Sequence, residues 1–260
     1  MAGVYSQLLT VQDRPARVWR GGSGKPLVLL HGEMGDASAH WRWCWSALAD
    51  AYTVYAPDLP GMGGMTAALP EPGIPGFVEW TFALLDALEL RELALVGNSF
   101  GATLARYAAA EQPARTRQLV MIGGGQLYVS SGAARALSLL VTGGLGGHSA
   151  VTPQTLDKAI ADKALLTPEF VAEARRGLTA FGTFSQELGR AAGPRTVPVP
   201  ACPMLIIWGT QDRLAPVKST QALVKELPKA ALRLIENSGR MPQMERTGEF
   251  LTAVRDFLRV

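Results

Sequence analysis

The chain has 260 residues, with 25 Lys and Arg against 22 Asp and Glu, which gives a formal net charge of +3 at pH 7. Hydrophobic residues make up 48% and charged residues 18%, and these proportions exclude a disordered chain or a coiled coil. The basic residues are scattered, so we expect no nucleic-acid partner. The two cysteines and three histidines lack the spacing of a disulfide framework or a metal site, and we predict neither a metal nor a cofactor.

Targeting signals are the next feature to consider. Residues 1–20 lack the basic start and apolar core of a secretory signal. The longest uninterrupted apolar run, 204–208, is far shorter than the roughly 18 residues of a membrane span. The sequence therefore predicts a cytoplasmic protein with no membrane partner. Its oligomeric state is left open between a monomer and a homodimer.

Short apolar runs alternate with longer helical patterns along the chain, which predicts an α/β fold with a mostly parallel, doubly wound sheet. Runs of this length that are almost entirely apolar are typical of strands buried on both faces. The strands are predicted at 27–30, 53–56, 93–96, 118–122, 204–208 and 232–235. The helices between and after them are predicted at 76–89, 100–111, 217–226 and 243–258.

The segment between the strands at 118–122 and 204–208 is too long for a simple crossover. It contains a glycine-rich stretch at 143–147, helical patterns near 152–161 and 168–190, and a return rich in Pro and Ala. We predict a helical cap over 128–196, inserted into a core formed by 1–127 and 197–260. An insertion after the carboxyl end of a strand lies over the crevice where open α/β sheets bind ligands, so the cap is expected to shape a ligand pocket.

The strongest motif is G-N-S-F-G at 97–101, which follows a predicted strand and opens a predicted helix. This context is typical of a nucleophile elbow, in which the flanking glycines leave room for a strained turn that presents Ser99. The backbone N–H of Phe100 would then lie at the helix N-terminus, where it can hold a developing oxyanion. A serine that only caps the helix is the plainer alternative.

Three further motifs follow other predicted strands. The motif H-G-E-M-G at 31–35 can supply a second oxyanion N–H, which we assign to Glu33, and we expect His31 to be structural. The motif D-L-P-G-M-G at 58–63 is interpreted as a turn. Asp212, just after the strand at 204–208, is placed to orient a catalytic base, with helix capping as the alternative.

Together these motifs resemble the α/β-hydrolase fold over essentially the whole chain. Within that fold the sequence is similar to cap-bearing serine hydrolases, especially the C–C bond hydrolases that cleave ring-fission products, and the segment S-G-R-M-P-Q-M-E at 238–245 adds to the likeness. The resemblance implies a nucleophilic Ser99, an acid at Asp212, and a small, largely apolar ester, lactone or dicarbonyl substrate. The serine at the elbow argues against the epoxide-hydrolase and dehalogenase branches, in which the resemblance implies an aspartate.

The sequence departs from this family at the catalytic histidine. The family pattern places it after Gly239, where this chain has Arg240, and no histidine follows His148. An arginine side chain has a pKa above about 12, so it cannot accept the Ser99 proton. The loss of the base in a triad enzyme can cost about 10⁶ in turnover.

Several groups could replace the histidine. Glu33 could act as the base or pair with Arg240, Asp212 could act directly, and the histidines at 40 and 148 could reach the site. Arg240 could pair with Asp212, or it could bind a carboxylate or enolate oxygen of a substrate. The side chains expected around a small-molecule substrate are Arg240, Met34, Trp41 (next to His40) and His148.

Three functions therefore remain open. The first is a hydrolase that uses Ser99 with a substitute base. The second is a lyase, cyclase or isomerase, in which the oxyanion hole and Arg240 stabilise an enolate and no acyl-enzyme forms. The third is a catalytically silent ligand-binding protein that has kept the elbow. Because one fold hosts many chemistries, the choice depends on the site itself.

Overall fold

The computed structural model describes residues 3–63, 73–125, 152–191 and 199–259. In these ranges eight strands form one sheet in the order β1-β2-β4-β3-β5-β6-β7-β8. The strands are β1 (Val4–Val11), β2 (Arg14–Gly21), β3 (Lys25–Leu30), β4 (Tyr52–Pro57), β5 (Leu93–Asn98), β6 (Thr116–Ile122), β7 (Met204–Gly209) and β8 (Ala230–Ile235). The α-helices are α1 (Ala37–Trp41), α2 (Trp45–Ala49), α3 (Gly73–Ala87), α4 (Phe100–Glu111), α5 (Pro153–Leu156), α6 (Pro168–Ala191), α7 (Ser219–Glu226), α8 (Pro242–Glu245) and α9 (Thr247–Leu258).

The sheet confirms the predicted doubly wound architecture. All six predicted strands are present, and β3 to β8 pair in parallel. The hairpin of β1 and β2 was not predicted from the sequence; it pairs antiparallel with β4. Its first strand is largely exposed, and its turn uses Gln12 and Asp13 at positive φ instead of glycine, so it carries neither a strong apolar run nor the usual turn signal.

The core lies on both faces of the parallel strands, which explains their apolar sequences. Successive residues of a strand point to opposite faces, so Leu30 joins the hydrophobic cluster that contains Phe100, and Leu29 joins the cluster that contains Phe250. Burial of each such side chain stabilises the fold by about 1.5–3 kcal/mol. The chain reverses its winding direction between β3 and β5, which places the loops after these two strands at the crevice of the sheet.

The residues described between β6 and β7 form α5, a 3₁₀ helix at Lys163–Leu165, and the long helix α6. Helix α6 agrees with the pattern at 168–190, but the helix expected near 152–161 is reduced to the single turn of α5. The chain leaves the helix there because the carbonyl of Ala159 and the N–H of Ala161 bond to the C-terminal loop instead. The glycine-rich stretch and both limits of the predicted cap lie outside the described residues. No described helix is long and apolar enough to cross a membrane.

Candidate active site

Ser99 forms the turn between β5 and α4, with φ 54° and ψ −113°, a strained conformation for a residue other than glycine. Its backbone N–H donates to the carbonyl oxygen of Ile122 at 2.8 Å, which holds the turn against β6. A Cβ at Gly97 would lie 2.2 Å from the carbonyl oxygen of Gly101, and one at Gly101 would lie 2.2 Å from that of Leu30. The close approach of strand, turn and helix therefore requires both glycines.

The hydroxyl of Ser99 lies between a carboxylate and a guanidinium. It donates to Glu33, whose Oε1 and Oε2 are 2.8 and 2.7 Å from Oγ. Arg240 donates to the same oxygen from Nε at 3.1 Å and from Nη2 at 2.6 Å. A guanidinium can only donate and an ionised carboxylate can only accept, so the proton of Ser99 is directed at Glu33.

Glu33 lies in the loop after β3, and its side chain is almost completely buried. Its Oε2 also accepts from the backbone N–H of Phe100 at 3.3 Å, and its Oε1 lies 3.6 Å from Nε of Arg240. A buried carboxylate needs partners of this kind because desolvation of an unpaired charge costs several kcal/mol. The side chain of Glu33 thus lies against the N–H that the sequence assigned to an oxyanion.

Asp212 holds the other side of the guanidinium. Its Oδ2 accepts from Nη1 of Arg240 at 3.3 Å, and its Oδ1 accepts from the N–H groups of Leu214 and Ala215, both at 2.9 Å. Burial raises the pKa of Asp212, whereas Arg240 and the two N–H groups act in the opposite direction. Arg240 is therefore held between two buried carboxylates, Glu33 and Asp212.

The backbone of Arg240 is held by two other parts of the chain. Its N–H donates to the carbonyl of Ala159 at 2.7 Å, and its carbonyl accepts from Nδ2 of Asn98 at 3.0 Å. The buried Glu245 carboxylate connects the segment after Ala159 with the loop that contains Arg240. Sequence reasoning missed this role because it depends on backbone donors. Its donors are the N–H groups of Ala161 at 2.7 Å, Asp162 at 3.1 Å, Gly239 at 3.0 Å and Met241 at 3.3 Å.

The histidines contribute no hydrogen bond to Ser99 in the described part of the chain. Nε2 of His31 accepts from the N–H of Leu59 at 2.8 Å, in agreement with a structural role. Burial lowers the pKa of His31 and lowers that of His40 further, so both rings are neutral. His148 lies outside the described residues. Among those that are described, no group of three or more His, Cys, Asp or Glu side chains could hold a metal ion.

Helix α6 covers the Glu33 loop and the elbow. A Cβ at Gly177 would lie 2.6 Å from the carbonyl oxygen of Glu33, so the helix contacts this loop directly. The ring of Phe181 packs edge-on against Phe100, with centroids 4.9 Å apart. Met34 is buried in the same hydrophobic cluster as these rings. Trp41 lies in the cluster on the other face of the sheet, and its contact with a substrate stays a prediction.

The motif at 58–63 forms the predicted turn, with both of its glycines at positive φ. Asp58 is also the centre of an ion-pair network, which the motif alone did not indicate. Its Oδ1 accepts from the N–H of Ala37 at 3.0 Å, and its Oδ2 pairs with Arg17, which also bonds to Asp36. Burial and the nearby charge of Asp36 raise the pKa of Asp58 to about 7, although Arg17 opposes the rise.

We expect Asp58→Asn to remove a pH-dependent contribution to stability. The pKa of Asp58 is higher in the folded protein than the ordinary value of 3.8, so the folded protein binds more protons in this range. The contribution of Asp58 to the free energy of unfolding is fully present below the ordinary pKa of 3.8, and it is lost as the pH rises through about 7. The free energy of unfolding of the wild type minus that of the variant should fall by about 2–3 kcal/mol between about pH 4.5 and about pH 7.5. Urea titrations measure it, and a constant difference would contradict the prediction.

Comparisons with known proteins agree with this fold. The model of the Alpha/beta hydrolase family matches residues 27–253. The 2-hydroxymuconate semialdehyde hydrolase of Pseudomonas sp. strain CF600 is 28% identical over 91% of this chain and 88% of its own length. The 2-hydroxy-6-oxo-2,4-heptadienoate hydrolase of Pseudomonas putida is 28% identical over 91% of this chain and 90% of its own length.

Two solved structures show the same fold. A variant of CumD, a meta-cleavage product hydrolase from Pseudomonas fluorescens IP01, is 25% identical with a TM-score of 0.80, and the match covers 97% of both chains. A structure described as that of a lipase from Acinetobacter baumannii AYE has a TM-score of 0.83 at 24% identity, and the match covers 98% of this chain and 91% of the other. With a family model that matches most of its length, the chain belongs to the alpha/beta hydrolase family.

Proposed function

We propose that the chain is a serine hydrolase for a small, largely apolar ester or dicarbonyl compound, with Ser99 as the nucleophile and Glu33 as the proton acceptor. The observation that carries the proposal is the hydrogen bond from the Ser99 hydroxyl to Glu33, with Arg240 donating to the same oxygen. The named substrates of the two Pseudomonas relatives, a semialdehyde and an oxo-dienoate, support a carbonyl substrate.

The first half-reaction would form an acyl-enzyme. Oγ of Ser99 attacks the carbonyl carbon while its proton passes to Glu33, which lies 2.7–2.8 Å away. The carbonyl oxygen gains the negative charge and replaces the Glu33 oxygen at the N–H of Phe100, and we assign the N–H of Glu33 as the second donor. The tetrahedral intermediate collapses, and the leaving group takes the proton from Glu33.

The second half-reaction would release the acid. Water attacks the acyl carbon and transfers a proton to Glu33, and this proton returns to Oγ as the bond from Ser99 to the acyl carbon breaks. Arg240 would stabilise negative charge on Oγ in both half-reactions, since its two N–H groups already point at that atom. Asp212 would hold the guanidinium in place, as the acid of a Ser-His-Asp triad holds its histidine.

The predicted cap at 128–196 is part of this proposal. Helix α6 lies in that segment, and its contacts with the Glu33 loop and with Phe100 support a cap that closes over the acyl group. A closed apolar surface would exclude bulk water and favour an apolar substrate.

A fluorophosphonate probe tests the proposal directly because it labels activated serines. We expect one label per chain, on the peptide that contains Ser99, and none on the Ser99→Ala variant. The intact mass and peptide mapping measure this. A folded protein that stays unlabelled and hydrolyses no ester would contradict the proposal.

Turnover of a carbonyl compound that survives Ser99→Ala but is lost in Arg240→Ala would favour a lyase, cyclase or isomerase instead. Ligand-induced thermal stabilisation without turnover would favour a binding protein.

A further inference from the structure

The charges packed around Ser99 bear on the kind of acyl group that the site accepts. We infer that it accepts acyl groups without a negative charge and discriminates against those that carry a carboxylate, because Arg240, the cation that contacts Ser99 among the described residues, is already held between two buried carboxylates. This inference rests on the proposed function, since it names the substrate class of the same site.

The buried charged groups around Oγ are two carboxyl groups and one guanidinium. The side chains of Glu33, Asp212 and Arg240 are 1%, 0% and 10% exposed. With both carboxyl groups ionised their charges sum to −1, and with one of them protonated the sum is zero. In neither state does the site offer a net attraction that would offset the desolvation of a substrate carboxylate.

The geometry of Arg240 makes the discrimination stronger. Its guanidinium nitrogens lie 3.6 Å from an oxygen of Glu33 and 3.3 Å from one of Asp212. A substrate anion that approached Arg240 would therefore come within a few ångströms of like charges. At an effective dielectric constant of about 20, the net charge of −1 that the site carries with both carboxyl groups ionised lowers the binding of such an anion by at least about tenfold.

Three part-buried or buried arginines on the described elements around the site do not supply a free positive charge, because each is paired with a carboxylate of its own. The pairs are Arg17 with Asp36 and Asp58, Arg42 with Glu173, and Arg106 with Glu226. The surface next to the elbow is apolar instead. The rings of Phe77 and Phe181 both pack edge-on against Phe100, the residue that follows the nucleophile. A hydrocarbon acyl chain matches this surface, and a carboxylate on that chain would lose its hydration there.

We therefore expect this chain to differ in specificity from a relative that is named for an anionic substrate. The name of the Pseudomonas putida relative specifies a heptadienoate, which carries a carboxylate. In this chain the arginine at the histidine position serves the enzyme's own carboxylates, so a substrate carboxylate has no partner there.

A matched pair of esters tests the inference. We propose 4-nitrophenyl methyl glutarate, which is neutral, and 4-nitrophenyl hydrogen glutarate, which carries a carboxylate at the same position. Binding is measured by calorimetry on Ser99→Ala, and kcat/KM is measured on the wild type. We expect the neutral ester to bind at least about tenfold more tightly and to react with a kcat/KM at least about tenfold higher.

Two further variants separate local charge from general effects. Asp212→Asn, combined with Ser99→Ala, removes one negative charge beside Arg240 and should reduce the discrimination in binding by about tenfold. Glu92→Gln in the same background removes a surface charge that pairs with Arg117, and it should leave the discrimination unchanged.

The outcomes distinguish this inference from the proposed function. Equal or tighter binding of the anionic ester, or no binding of either ester, overturns the inference. A neutral preference in binding without hydrolysis by the wild type supports the inference and contradicts the proposed function. Hydrolysis of both esters with equal kcat/KM supports the proposed function and overturns the inference.

Discussion

Glu33→Gln is expected to lower the turnover of a neutral ester by at least about 10³-fold and to slow fluorophosphonate labelling of Ser99 to a similar extent. Glutamine has nearly the same size as glutamate, but its amide oxygen is a far weaker base than a carboxylate. It can still accept a hydrogen bond from the Ser99 hydroxyl, yet it cannot take the proton during attack. Initial rates and labelling rates on protein with an unchanged circular dichroism spectrum measure the effect.

The matched control is Glu173→Gln. Glu173 is a carboxylate on α6 that pairs with Arg42 and does not contact Ser99. It lies beside Gly35, which belongs to the same loop as Glu33. This variant should keep most of its turnover and its labelling by the probe. Undiminished turnover of Glu33→Gln would exclude Glu33 as the proton acceptor. A higher rate would show that the carboxylate blocks the N–H of Phe100.

Arg240→His combined with Glu33→Ala is expected to raise ester hydrolysis by at least about 10²-fold over Glu33→Ala alone. Two N–H groups hold Oδ1 of Asp212, which leaves Oδ2 directed at position 240. The backbone at this position is held by Ala159 and Asn98. An imidazole there would lie between Asp212 and Ser99, as in a Ser-His-Asp triad. The second substitution removes the carboxylate that would otherwise compete for the oxyanion N–H.

The rates of the double variant and of each single variant, measured with the same ester, test this prediction. Asp212→Asn added to the double variant should abolish the gain, because the imidazole then loses the acceptor that sets its tautomer. If a folded double variant showed no gain, the backbone at position 240 would be too far from Ser99 for a histidine to reach it.

The elbow was predictable because its determinants are local. An apolar strand, two glycines and a helix lie within about twenty consecutive residues, and each of them constrains the turn at Ser99 sterically. The six parallel strands were predictable for a similar reason, since burial on both faces requires an apolar run. The hairpin of β1 and β2 was missed because its exposed residues place no such demand on the sequence.

The sequence by itself determined the family, the strand, turn and helix around Ser99, and the absence of a histidine after position 148. Only the tertiary structure decided where Glu33 and Arg240 point. Glu33 lies 66 residues before Ser99, and Arg240 lies 141 residues after it, yet both side chains form hydrogen bonds with the Ser99 hydroxyl. No local pattern specifies such a contact, because each side chain is oriented by partners on other loops of the sheet. Burial then makes these pairings obligatory, since an unpaired charge at this depth would cost several kcal/mol.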